Sequence, residues 1–142
     1  MVRNFSKVPI SYLANPYTHS DPLVMAQRAE AVDRAAARLL KLGIMTYPPI
    51  ALNCRWTNYE KDFPHTWSYW QNFDKNFLER CDGLIVLMLD GWDRSVGVKS
   101  EIEYAKELGM PIEYISYEDL MNGKIDKIVQ MNEDLIVKLA KI

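Results

Sequence analysis

Six consecutive apolar residues, Leu84 to Leu89, run through the middle of the chain and are followed at once by Asp90 and Gly91. A strand that alternates apolar and polar residues leaves one face to water. A strand that is apolar at every position is covered on both faces, as in a parallel sheet held between two layers of helices. The run is also far too short to cross a bilayer. This one segment therefore narrows the chain to an α/β architecture and sets what the flanking residues must do.

The flanks comply. Val8 to Ala14 is a second short apolar run, ended by the turn formers Asn15 and Pro16, and reads as a buried strand. Asp21 and Pro22 form an N-cap and first-turn pair. Met25, Ala29, Val32, Ala36 and Leu39 then recur at helical spacing up to Gly43. Ile44 to Tyr47 reads as a strand cut off by Pro48 and Pro49, and a long loop follows to about Thr66. Trp67 to Arg80 carries Trp70, Phe73, Phe77 and Leu78 on one side and reads as a helix. After the central strand, Val98 to Leu108 reads as a helix ended by Gly109, Pro111 to Ile115 as a strand, and Lys124 to Lys141 as an amphipathic terminal helix.

Strands and helices thus take turns across residues 1–142 with no repeat and no linker, which predicts one domain. The expected fold is a flavodoxin-like (Rossmann-like), doubly wound parallel sheet of about five strands with right-handed crossovers. In such a sheet the first strand and the Leu84 to Leu89 strand are neighbours. Ligands bind beyond the carboxyl ends of strands where the order reverses, so Asn15 to Ser20 and Asp90 to Gly97 should face one crevice.

Charge and cysteine usage remove several function classes. Seventeen basic and nineteen acidic residues give a net charge of −2. No basic run has the density that phosphate-backbone binding needs, so nucleic acid is not an expected partner. The absence of a membrane-length apolar run and of an N-terminal signal pattern argues for a cytoplasmic protein with no membrane partner. Cys54 and Cys81 lack metal-ligand spacing, and only His19 and His65 are available to join them, so reduced thiols and no metal site are expected.

Glu101 breaks the pattern. In the helix after Gly97, Val98, Ile102, Ala105 and Leu108 define the stripe that packs on the sheet, while Lys99, Glu103, Lys106 and Glu107 point to water. Glu101 stands three residues after Val98 and four before Ala105, on or beside the packed stripe. One reading is a first-turn carboxylate that answers the helix dipole. The other is chemical: a carboxylate kept ionised near a helix N-terminus, at a strand-end crevice, is able to attack an electrophilic carbon such as a sugar anomeric centre. Asp74 lies four after Trp70 and three before Phe77, and so also adjoins an apolar side. Tyr12, on a buried strand, reads as a core or as a ligand-facing tyrosine.

An ordered set of motifs ties these residues together. They are Tyr12-Leu13-Ala14-Asn15-Pro16-Tyr17, Asp74 ahead of Cys81-Asp82, Leu89-Asp90-Gly91-Trp92, and Ser95-x-Gly97-Val98-x-x-Glu101 with Ala105 and Gly109-x-Pro111 behind. Over residues 10–112 the chain resembles the nucleoside 2-deoxyribosyltransferase-like superfamily, which includes transferases and 2′-deoxynucleoside 5′-phosphate N-hydrolases. Within it the chain is similar to an uncharacterised branch found in phages and bacteria. The resemblance implies that Glu101 is the nucleophile forming a glycosyl-enzyme intermediate. It implies that Asp74 is the acid orienting Glu101 and assisting the leaving base, and that Tyr12 lies beside the sugar. The family usually has glycine where Asn15 stands. Ser95 departs from the acid of the transferases and resembles the serine with which the nucleotide hydrolases meet a 5′-phosphate. A hydroxyl and loop N–H groups at a helix start suit a phosphate, whereas a carboxylate there would repel it. Ser95 as a turn or capping residue is the alternative. Asp93 reads as a loop former around Gly91.

Eight of the sixteen aromatic residues fall between Tyr47 and Phe73, which marks this segment as a cover. Trp56, Trp67 or Trp92 offers a platform for a base, with Arg55 or His19 reaching a phosphate. An oligomer interface is equally rich in Trp and Tyr. Members of the resembled superfamily are similar in forming dimers or larger assemblies, which implies a homodimer or higher homo-oligomer here. The reading that follows is cleavage or transfer at the N-glycosidic bond of a nucleoside 5′-monophosphate, with no cofactor. Its ligand contacts come from Asn15, Pro16, Tyr17, His19, Asp90, Gly91, Trp92, Ser95, Gly97 and Val98. A nucleotide-binding or sensing module without turnover is the alternative.

Overall fold

The computed structural model describes residues 8–64 and 66–141, so His65 lies outside it. Four strands, β1 (Ile10–Ala14), β2 (Met45–Tyr47), β3 (Gly83–Leu87) and β4 (Ile112–Ile115), form one all-parallel sheet in the order β2-β1-β3-β4. This is the flavodoxin-like order, with four strands rather than about five. After Ile115 the chain enters the helices α5 (Tyr117–Met121) and α6 (Asp126–Ala140), whose apolar residues recur at helical spacing and supply no further strand.

Side-chain alternation along the strands builds two cores. In β1 and β3, Leu13, Ile85 and Leu87 point to one face, where α1 (Pro22–Lys41) supplies Val32, Ala35 and Leu39 and α6 supplies Ile128, Met131 and Leu135. Tyr12, Ala14, Leu84 and Val86 point to the other face. There α3 (Trp67–Glu79) supplies Leu78, and α4 (Val96–Glu107) supplies Val98 and Ala105. All five residues of β3 are buried, as a strand covered on both sides requires. The ladder ends at Leu87, so Met88 and Leu89 belong to the loop above the sheet.

The start of α1 follows its capping chemistry: the Asp21 side chain accepts from the Leu23 N–H at 2.9 Å, with Pro22 in the first turn. The segment expected to be an open loop after Pro49 is partly helical, forming α2 (Pro49–Trp56). Pro49 closes β2 and at the same time supplies the fixed φ that suits a first helical position. Beyond β3, a single 3₁₀ turn spans Trp92–Arg94, and α4 starts at Val96 with Ser95 as its N-cap. No described helix is long and apolar enough to cross a membrane. Cys54 and Cys81 are free thiols.

Two helical faces differ from expectation in an instructive way. In α3 the buried positions are Asp74 and Leu78, while Trp70 and Phe73 are half-buried and Phe77 is exposed. The aromatics form a band beside the sheet contact: Phe77 stacks on Tyr47 at 4.5 Å between ring centroids, and Phe73 meets Trp56 edge-on. In α4 the stripe on the sheet is Val98, Glu101 and Ala105, with Leu108 exposed at the helix end. A carboxylic acid is thus among the buried residues of both α3 and α4.

Candidate functional site

The order reverses between β1 and β3. The chain leaves β1 toward β2 on one side and returns to build β3 on the other, which opens a crevice beyond their carboxyl ends. A cavity of about 720 Å³ lies there. The loop after β1 lines it with Asn15, Tyr17, Thr18 and His19, and the loop after β3 with Asp90, Gly91 and Arg94. The first turns of α4 add Ser95, Val96, Gly97, Val98 and Glu101. Trp67, Trp70 and Asp74 come from α3, and Pro49, Ile50, Asn53 and Cys54 from α2.

Glu101 and Asp74 are both 4 % exposed, yet both reach the cavity. Beneath them Tyr12, with no exposed surface, donates its hydroxyl to Glu101 Oε2. Burial pushes the Glu101 carboxyl up to about 8. The Tyr12 hydrogen bond opposes this rise, and Asp74 is close enough to add to it by charge repulsion. Burial likewise raises Asp74 to about 7, opposed by Asn53, whose Nδ2 donates to Asp74 Oδ1 at 3.2 Å. The Tyr12 hydroxyl is raised by its own burial and then by Glu101 and Asp74, so it stays a donor. The three residues form one electrostatic unit.

The expectation that Glu101 is held ionised by the helix N-terminus is corrected here. Because α4 begins at Val96, Glu101 lies beyond its first turn, where the dipole has faded and desolvation dominates.

Ser95 faces the cavity, and its Oγ accepts from the Val98 N–H at 3.3 Å, so it does cap the helix. Gly97 permits a close approach: a Cβ there would lie 3.3 Å from the Trp67 ring, which packs against the start of α4. Asn15 is buried and donates to the Pro16 carbonyl, while its Oδ1 has no protein partner. It adopts no left-handed backbone conformation, so nothing in its backbone requires the glycine usual at this position in the resembled family. His19 Nδ1 accepts from the Asp21 N–H at 2.9 Å.

Four expected contacts fall elsewhere. Pro16 is buried in the turn and does not line the cavity. Trp92 leans the other way, onto Tyr114 of β4, because the 3₁₀ turn rotates it out of the crevice. Trp56 packs on Phe73 behind the α2 wall. Arg55 points outward to Asp33, at 3.6 Å, leaving Trp67 and Trp70 as the lining indoles.

Sequence reasoning passed over Arg28, Asn53 and Arg94. Asn53 fell in a segment read as loop. Arg28 carried a usable signal: it stands three after Met25 and four before Val32, the same on-stripe position that singled out Glu101. In the structure Arg28 lines the cavity and hydrogen-bonds the carbonyls of Tyr17, Thr18 and Asp90.

With this geometry in place, two comparisons bear on kinship. No curated protein matches the chain. A family model described as a domain of unknown function, DUF1937, matches residues 9–117, and the chain belongs to that family.

Proposed function

We propose that this member of the DUF1937 family cleaves or transfers the N-glycosidic bond of a nucleoside 5′-monophosphate, with Glu101 as nucleophile. The observation that carries the reading is the buried Glu101 carboxyl, sharing a switch-point cavity with Asp74 and hydrogen-bonded from below by Tyr12. Its resemblance to the nucleoside 2-deoxyribosyltransferase-like superfamily, over the motifs given above, adds weight from a separate direction.

In this mechanism a Glu101 oxygen attacks the anomeric carbon as the bond from that carbon to the base nitrogen breaks. The electron pair passes to the base, which takes a proton from Asp74. Water or a second base then attacks the glycosyl ester, gives its proton to Asp74 and frees Glu101 as a carboxylate. The reactive form carries one proton for the two carboxyls, on Asp74; because Glu101 is raised slightly further, it is the minor of the two singly protonated forms. With both groups raised, that single shared proton persists near neutral pH. Tyr12 steadies the charge on Glu101 as the leaving step completes. Trp67 and Trp70 offer the base a π face. Ser95, the start of α4 and the guanidinium groups of Arg28 and Arg94 give an anionic tail a positive end of the cavity.

The test is chromatography of each nucleoside monophosphate, deoxy and ribo, after incubation with the protein. Free base is expected from at least one. Glu101→Ala should abolish its release while the circular dichroism spectrum is retained, and unchanged release would overturn the mechanism.

A second reading, a nucleotide-binding module without turnover, is favoured by one observation: Glu101 is 4 % exposed, and burial favours its neutral form, a poor nucleophile. A nucleotide that raises the melting temperature and is recovered intact would select it.

A further inference from the structure

Among the described residues, Arg28 hydrogen-bonds both loops at the crevice mouth. From the second turn of α1, its Nη1 donates to the Tyr17 carbonyl at 3.3 Å and to the Thr18 carbonyl at 3.0 Å, and its Nη2 donates to the Asp90 carbonyl at 2.8 Å. The first two acceptors lie in the loop after β1 and the third in the loop after β3, sixty-two residues away. Only a planar fork with several donors on one rigid plane serves both loops at once. An ammonium group is a point donor on a flexible stem.

Gly91 is shaped to this fork. Its φ is +88°, which favours glycine, and a Cβ at this position would lie 2.7 Å from Arg28 Nη2. Among the described residues no carboxylate pairs with Arg28, and the carbonyls that hold it are neutral. Burial lowers the Arg28 guanidinium from its ordinary value, the nearby Asp90 carboxylate opposes this and Arg94 adds to it, and the group remains charged at the cavity wall.

We infer that Arg28 is a positioning residue: it straps the loop after β1 to the Asp90–Gly91 turn and so sets the width and charge of the crevice that receives the anionic end of the ligand. The ligand half of this inference rests on the nucleotide reading above. The strap itself does not.

The experiment pairs a measurement on the free protein with one on the complex. Hydrogen exchange of the ligand-free protein is compared between wild type and Arg28→Lys, with Arg28→Gln as the second variant should lysine disturb folding. Exchange is expected to accelerate about tenfold at Asp21 in the first loop and at Trp92 and Arg94 in the second, whose N–H groups are hydrogen-bonded beside the strapped carbonyls. Titration with deoxynucleoside monophosphates should then show about tenfold weaker binding for Arg28→Lys, although the positive charge is kept. Gly91→Ala should weaken binding as well, through backbone strain at φ +88° and through the approach of its Cβ to Arg28 Nη2.

Unchanged exchange in either loop overturns the strap. Wild-type affinity in Arg28→Lys would reduce the residue to its charge and overturn the positioning role. Coupled loops with no nucleotide bound by the wild type would leave the strap standing and sink the nucleotide reading instead.

Discussion

At the residue scale the chemistry turns on groups that pull on each other's protons. Glu101 and Asp74 share the cavity, with Glu101 at about 8 and Asp74 at about 7, both raised by burial. If one proton shared by the pair is the reactive state, kcat/KM is expected to trace a bell with its maximum between those two values. Asn53 supplies the handle, because its hydrogen bond holds Asp74 down. Asn53→Ala should move the acidic limb of the bell upward and leave the folded structure intact, read from rates across pH 5 to 9. An unmoved limb would mean that Asp74 is not the group titrating. Glu101 was legible in the sequence because a carboxylate on a packed stripe demands an explanation. Its protonation was not, because that depends on the distance to the helix start and on what covers the residue, and neither is a local property.

At the level of elements, α4 shows how one residue serves folding and binding together. Ser95 caps the helix and faces the cavity, so its two roles need variants that separate them. Ser95→Ala removes the cap and should cost about 1 kcal/mol in urea unfolding. Ser95→Asp keeps a capping oxygen and places a carboxylate in the cavity. Its stability should stay near wild type while binding of nucleoside monophosphates is lost. If Ser95→Asp binds as well as wild type, the anionic end of the ligand lies elsewhere. The elements with strong periodicity or punctuation, such as α1 behind its Asp21 cap and the fully apolar β3, were readable in advance. The short helix α2 was not, because two successive prolines read first as a strand terminator. Its buried residues, Pro49, Ala51 and Asn53, have their reason only in the elements that cover them.

For the whole molecule, the buried acids set how stability depends on pH. The ordinary values are 4.5 for Glu101 and 3.8 for Asp74, and folding raises both. The folded state therefore holds more protons than the unfolded chain over the interval between. Stability from these groups is fully present below the unfolded values and is lost as pH rises through about 7 to about 8. The melting temperature is expected to fall from pH 5 to pH 9 and to fall less in Glu101→Gln, which removes one of the two shifts. Differential scanning calorimetry at fixed ionic strength reads this directly. A melting temperature that rises over that range would contradict the assigned burial of both carboxyls.

Local rules were enough for the sequence to determine the alternation of strands and helices, the parallel sheet, the two facing loops and the candidacy of Glu101, while the resemblance implied Tyr12 and Asp74 beside it. Period, capping and turn chemistry each act within a few residues. Only the tertiary structure decided that α3 buries Asp74 rather than its aromatics, that Trp92 and Arg55 turn away, and that Arg28 reaches across the crevice mouth. Those outcomes depend on contacts between segments dozens of residues apart, as the bond from Arg28 to Asp90 illustrates, and no local pattern encodes which distant surface a side chain will meet.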